Sequence, residues 1–288
     1  MKKREVEELL FEERKNLGTK VAKLPLDASD VKHFLIESGR NHKNYFHYTG
    51  ISRLRRIVSS KSLFLTYGAD MNDQVEFMQG DPEKWKRTYL ACFSFGALEN
   101  IGMWSMYGHG PRESVRLCFP GKAMRTALAK WQMEHSFTIP DIPENKVSDV
   151  DHANIRDYVE GIELQDVLYS YAKAKETDDG VKRGSVLWNH RIANDTRCDE
   201  FRAAFDSHEL STFVKDARWA YESEVRLVVS FSKEIKGLRK VALDISSLLP
   251  EMSILLGPTY SKRLAVESLD GIEQDKVSES DYPIDFGL

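Results

Sequence analysis

Glu222 and Glu224 stand two positions apart in the stretch Trp219-Ala220-Tyr221-Glu222-Ser223-Glu224-Val225-Arg226-Leu227-Val228-Val229. Paired carboxylates can divide a reaction between them. One, ionised, stabilises positive charge developing in a transition state; the other takes or gives a proton. Read as a strand, the stretch sets Glu222, Glu224, Arg226 and Val228 on one face and Tyr221, Val225, Leu227 and Val229 on the other. At a rise of about 3.3 Å per residue, the glutamates lie about 7 Å apart, too far for both to reach one reacting atom. Arg226 on the same face keeps at least one carboxylate ionised. The same alternation also suits a half-buried strand whose charged face meets water.

Other residues can supply partners. His47-Tyr48-Thr49 places a histidine one residue from a threonine, a donor and acceptor pair at a strand end, or else a satisfied histidine in a packed strand. Asn72, Asp73 and Glu76 lie in a stretch of turn formers. They make turns, fold over a ligand as a loop, or form an acidic metal cluster, although the spacing matches no EF-hand. Cys92-Phe93-Ser94 precedes Met103-Trp104-Ser105-Met106-Tyr107-Gly108, where Trp104 and Tyr107 share one side of a helix as core residues or as a stacking platform. Cys92 has no nearby cation in the sequence and reads as structural. The chain lacks the P-loop, dinucleotide, nucleophile-elbow and H-E-x-x-H signatures, and His190 and His208 have no ligand spacing.

Patterning gives the framework around these residues. With 288 residues, 41% of them hydrophobic, the chain can bury a sizeable core. A net charge of −4 argues against strong non-specific binding to nucleic acid or anionic membranes. Three cysteines without CxxC spacing, Cys92, Cys118 and Cys198, argue against a disulfide framework and point to a reducing cytosol. The charged N-terminus lacks the apolar core of a signal peptide, and no apolar run is long enough for a membrane span. Residues 1–44 read as a helical preface. Strands are expected near Tyr45–Thr49, Ser62–Tyr67, Thr88–Phe95 and Ser114–Phe119, with helices at Ile51–Ser60 and 100–110. From 122 to 218 the pattern reads as a helical insertion, with helices at 123–134, 155–173, 186–192 and 199–213. Strands return at 221–230, 240–245 and 253–256, and residues 271–288 form a loosely held acidic tail. The expected class is α+β: one domain over 45–270 whose flanking strand sets form a single sheet.

Five of these motifs, in order, resemble a bacterial and phage family known as domain of unknown function 2971. They are His47-Tyr48-Thr49; Met71-Asn72-Asp73-Gln74-Val75-Glu76; Cys92-Phe93-Ser94; Met103-Trp104-Ser105-Met106-Tyr107; and Trp219 through Arg226. Met71 and Gln74 depart from the family's Phe-Asn-Asp-Pro-x-Glu. More distantly, an H-x-T on the first strand and a glutamate on a late strand resemble the ADP-ribosyltransferase fold. That resemblance implies a split sheet, NAD as substrate, and contacts to it from His47, Tyr48, Thr49, Asn72, Asp73, Ser94, Trp104, Tyr107 and Arg226. It implies Glu224 acting at the NAD ribose and Glu222 at the acceptor: a protein side chain, a nucleic-acid base or water. It requires His47 and Glu224 to reach one cleft. A toxin or phage-defence effector is the biological setting it suggests. The alternatives are a silent interaction module of the same fold and a metal-dependent nuclease built on Asp73, Glu76, Glu222 and Glu224.

Overall fold

The computed structural model describes residues 22–23, 28–71, 81–108, 113–170, 175–176, 182–188, 199–205, 211–258 and 272–281. Alternating burial forms most of a nine-stranded, largely antiparallel sheet. Its strands are β2 (Asn44–Gly50), β3 (Ser62–Tyr67), β4 (Thr88–Ser94), β5 (Ser114–Pro120), β6 (Val159–Asp166), β12 (Glu224–Phe231), β13 (Lys240–Asp244), β14 (Ser253–Leu256) and β15 (Val277–Glu279). The expected union of the early and late strand sets is therefore present. One face carries Tyr45, Leu63, Leu65, Tyr89, Phe93, Leu117, Phe119, Val225 and Leu227, all buried. Two helices cover it. Ile51–Ser60 contributes Ile51, Leu54 and Ile57, and Gly121–Glu134 contributes Met124, Ala127, Leu128 and Trp131. Such apolar contacts at helical spacing against a pleated face are the main stabilising term of a two-layer fold.

The central strand β4 has three neighbours. β12 takes one edge throughout, from Glu224 opposite Ser94 to Ser230 opposite Thr88. β3 and β2 share the other edge. β3 touches it only at Thr66 to Leu90 and Tyr67 to Tyr89, and β2 only at Phe46 to Ser94. Residues 91–93 therefore have no ladder partner on that edge, and a wedge opens between β2 and β3. An open edge leaves backbone groups to be satisfied by other means. His47 Nδ1 does so for one of them, 2.9 Å from the Cys92 carbonyl. Helix Ile51–Ser60 joins the two diverging strands. It ends at Lys61 in the left-handed region (φ 50°), whose N–H reaches the Ile57 and Val58 carbonyls.

The expected helical insertion between 122 and 218 needs correction. Helix Gly121–Glu134 and a short helix, Asp149–Asn154, are present, but strands dominate the residues after them. β6 joins the large sheet beside β12, from Val225 opposite Asp166 to Phe231 opposite Val159. A second, six-stranded sheet contains β1 (Ala22–Lys23), β7 (Leu168–Ser170), β8 (Lys175–Glu176), β9 (Lys182–Trp188), β10 (Asp199–Phe205) and β11 (Val214–Asp216). Glu, Gln, Ala, Lys and Arg in these segments favour helix locally, and strand pairing overrides that preference. Of the preface, helix Ala28–Arg40 is present; residues 1–21 lie outside the described residues. The tail is not wholly loose: β15 pairs in parallel with β14 and buries Val277.

Candidate functional site

Glu222 is not in the strand. Residues Ala217–Glu222 form a 3₁₀ helix started by Asp216, whose carboxylate accepts from the Arg218 N–H at 2.9 Å. Ser223 then adopts the left-handed region (φ 46°, ψ 54°), and β12 begins at Glu224. The turn breaks the expected alternation and leaves Tyr221 on the surface, 40% exposed. It also brings the carboxylates closer than the about 7 Å of a strand repeat. Both reach one ammonium group: Lys215 Nζ lies 2.5 Å from Glu222 Oε2 and 2.9 Å from Glu224 Oε2.

Lys215 comes from β11 and lies over the Trp219 ring, 5.0 Å from its centroid. Glu224 is gripped further by Arg226, through Nε to Oε1 at 2.8 Å and Nη2 to Oε2 at 3.3 Å. Arg226 Nη1 donates to the Thr212 carbonyl at 2.7 Å. The Glu224 backbone N–H donates to Tyr169 Oη at 2.8 Å. Tyr107 Oη, from helix Ile101–Tyr107, donates to Glu222 Oε1 at 2.6 Å. Glu222, Glu224, Lys215 and Arg226 are all buried, so two carboxylates and two cations neutralise one another where solvent screens little.

The two glutamates are shifted in opposite directions. Burial and the neighbouring Glu224 charge push the Glu222 carboxyl up, against Lys215 and Tyr107. Burial also acts on Glu224, but Arg226 and Lys215 overcome it and hold that carboxyl well below the usual range. Two carboxylates set apart in this way divide into an ionised group and a proton-handling group. Burial, with the Glu222 charge, pushes the Tyr107 phenol up. Burial and the Glu224 charge push the Cys92 thiol well up, so Cys92 is no nucleophile at neutral pH. Burial lowers the His47 imidazole, which is therefore neutral. A carbonyl can only accept, so Nδ1 carries the proton that goes to Cys92 O and Nε2 is left an acceptor.

These residues border one cavity of about 400 Å³. Strand register puts Phe46, Tyr48, Phe64, Thr66, Leu90, Cys92, Ser94, Glu224, Arg226 and Lys240 on one face of the sheet. It puts His47 and Thr49 on the opposite face, against the simplest form of the expected approach of His47 to Glu224. The wedge between β2 and β3 joins the two sides, and both residues line the same cavity. Of the residues singled out in the sequence, His47, Tyr48, Thr49, Tyr107, Glu222 and Glu224 line the cavity. Ser94, Trp104 and Arg226 stand behind its wall: Ser94 Oγ accepts from the Gly96 N–H, and Trp104 Nε1 donates to Glu99. Met103, not Trp104, faces the cavity. Asn72, Asp73 and Glu76 lie outside the described residues, as do His190, His208 and Cys198. Sequence reasoning missed Lys215, which falls in the span expected as a helical insertion and whose residue type is rarely buried. It also missed Tyr169 and the Arg53, Arg56 and Lys240 side of the cavity.

Among the described residues, no group of three or more His, Cys, Asp or Glu could hold a metal ion, and no helix is long and apolar enough to cross a membrane. No family model, curated protein or solved structure matches the chain.

Proposed function

We propose that the chain is an ADP-ribosyltransferase-like enzyme of the domain of unknown function 2971 kind. It uses NAD as substrate and transfers ADP-ribose to a macromolecule or to water, in a toxin or phage-defence setting. The observation that carries this reading is the unequal carboxylate pair on the wall of one cavity: Glu224 is held well below the usual carboxylate range, and Glu222 is raised above it, the direction that makes it the stronger base. Loss of nicotinamide leaves an oxocarbenium-like ribose. A fixed carboxylate is worth most as that charge develops, and Glu224 supplies it. His47 Nε2 accepts from a ribose hydroxyl, its ring fixed by the Cys92 carbonyl. Glu222 takes the proton of the attacking acceptor, and Tyr107 and Lys215 hold it in place.

The test is release of free nicotinamide from NAD by the purified protein. Glu224→Gln keeps shape and removes charge; it lowers the rate by on the order of 10²-fold or more. Glu222→Gln abolishes transfer to a macromolecule and leaves hydrolysis. If the wild type releases nicotinamide and both variants match it while folded, the pair is structural and the reading falls. One observation favours a silent interaction module of the same fold: both carboxylates are already matched by cations. That module releases no nicotinamide at any enzyme concentration.

A further inference from the structure

The end of the cavity away from the glutamates is cationic. Arg53 and Arg56 come from helix Ile51–Ser60, and Lys240 from β13. Residues three apart on a helix lie on one side, with Cβ atoms about 5–6 Å apart. The Arg56 guanidinium sits over the Phe64 ring, 5.5 Å from its centroid, and Phe64 faces the cavity on the same side of the sheet as Lys240. The acids on the cavity wall are accounted for. Asp70 pairs with Arg239 at 3.3 Å, and Glu222 and Glu224 are matched by Lys215 and Arg226. Among the described residues, no carboxylate pairs with Arg53, Arg56 or Lys240. The protein's net charge is −4, so an uncompensated positive mouth on one cavity is a local departure that concentrates anions.

We propose that Arg53, Arg56 and Lys240 form a pyrophosphate-binding mouth, and that the cavity takes a nucleoside diphosphate group with its phosphates at these cations. The guanidiniums give the planar, multi-donor geometry that suits phosphate oxygens, and Lys240 adds a point charge. Phe64 lies beside them, and Met71 also lines the cavity, packed against the Trp85 and Leu90 cluster; both offer apolar surface for the nucleoside. The cavity volume, about 400 Å³, is in the range that encloses a ligand of that size. This assignment rests on the NAD reading for the direction in which the ligand lies, but its charge argument does not use Glu222 or Glu224.

The experiment is isothermal titration of the full chain with ADP and with inorganic pyrophosphate. Both bind, they compete, and added salt weakens both. The double variant Arg53→Gln/Arg56→Gln, at two exposed positions, weakens ADP by about tenfold or more, the scale of a lost charge-assisted contact. Arg55→Gln, exposed on the same helix but outside the cavity wall, is the control and leaves ADP affinity unchanged. ADP binding that is absent, or that the double variant leaves intact, overturns the proposal. So does binding of a short oligonucleotide without ADP, which assigns the mouth to a nucleic-acid backbone. ADP binding that depends on the arginines, without nicotinamide release, leaves the mouth standing and removes the transferase reading. Nicotinamide release with a KM for NAD unchanged by the double variant does the reverse.

Discussion

Lys215→Met is the most informative single change. Methionine keeps the apolar stem and removes the ammonium that both carboxylates share. Breaking a buried ion pair by removing one partner costs roughly 3–5 kcal/mol, because the remaining charge is left uncompensated. In a chain of this size that lowers Tm by on the order of 10 °C. The loss depends on pH, and its sign is set by the two carboxyls. Glu222 is raised above its ordinary 4.5, so its contribution is fully present below 4.5 and is lost as pH rises through the folded value. Glu224 is lowered, so its contribution is present above 4.5 and is lost as pH falls. Without Lys215 the Glu222 carboxyl moves further up, and the deficit against wild type is larger at pH 8 than at pH 5. Lys215→Met/Glu222→Gln removes one carboxylate with the ammonium and leaves Glu224 paired to Arg226. It recovers on the order of 2 kcal/mol, a coupling that a double-mutant cycle reads directly. Chemical and thermal unfolding followed by circular dichroism at both pH values give these quantities. A Lys215→Met protein within about 0.5 kcal/mol of wild type at pH 8 would refute the shared-ammonium argument.

Glu224→Gln and Glu222→Gln separate in nicotinamide release, the first losing it and the second keeping hydrolysis. Tyr107→Phe removes the 2.6 Å donor to Glu222 and moves the Glu222 titration upward by about one pH unit, read from the carboxyl band in infrared difference spectra; an unmoved band removes Tyr107 from the site. Ser223→Val forces a β-branched residue into the left-handed region and destabilises the fold by about 1–2 kcal/mol, whereas an unchanged urea midpoint would mean the turn is not held. Cys92 resists alkylation at pH 8 in the folded protein and reacts once guanidinium unfolds it; peptide mapping that finds it labelled in the native state contradicts its raised thiol.

The sequence foretells elements whose two faces differ plainly. Ile51–Ser60 has three buried aliphatics at helical spacing, and Ser62–Tyr67 alternates Leu63, Leu65 and Tyr67 inward; both have the expected bounds. Val159–Asp166 hides its strand because only Ile162 and Leu164 mark the apolar face, while Glu160, Glu163 and Gln165 favour helix. Asp199–Phe205 misleads further, since Phe201 and Phe205 stand four apart as on a helix face. At the candidate site, Glu222 and Glu224 are visible as a pair, but their geometry is not. A serine in the left-handed region has no reliable sequence mark, and it alone separates a strand repeat from two carboxylates converging on one lysine. Lys215 is invisible for a related reason: only the assembled sheets show that a residue normally left in water is buried between acids.

The position of β12 sets an order on biosynthesis. It lies between β4 and β6, both of which leave the ribosome before it. At about 5–20 residues per second, on the order of ten seconds separate emergence of β4 from that of its partner. During that interval β4 presents an unpaired edge, a template for wrong pairing and a natural stretch for a chaperone to cover. Arg53 and Arg56 on helix Ile51–Ser60 are already translated, while neither glutamate exists. A nascent or prematurely terminated chain thus carries the two arginines without the buried carboxylate pair, which assembles on Lys215 only when β12 docks.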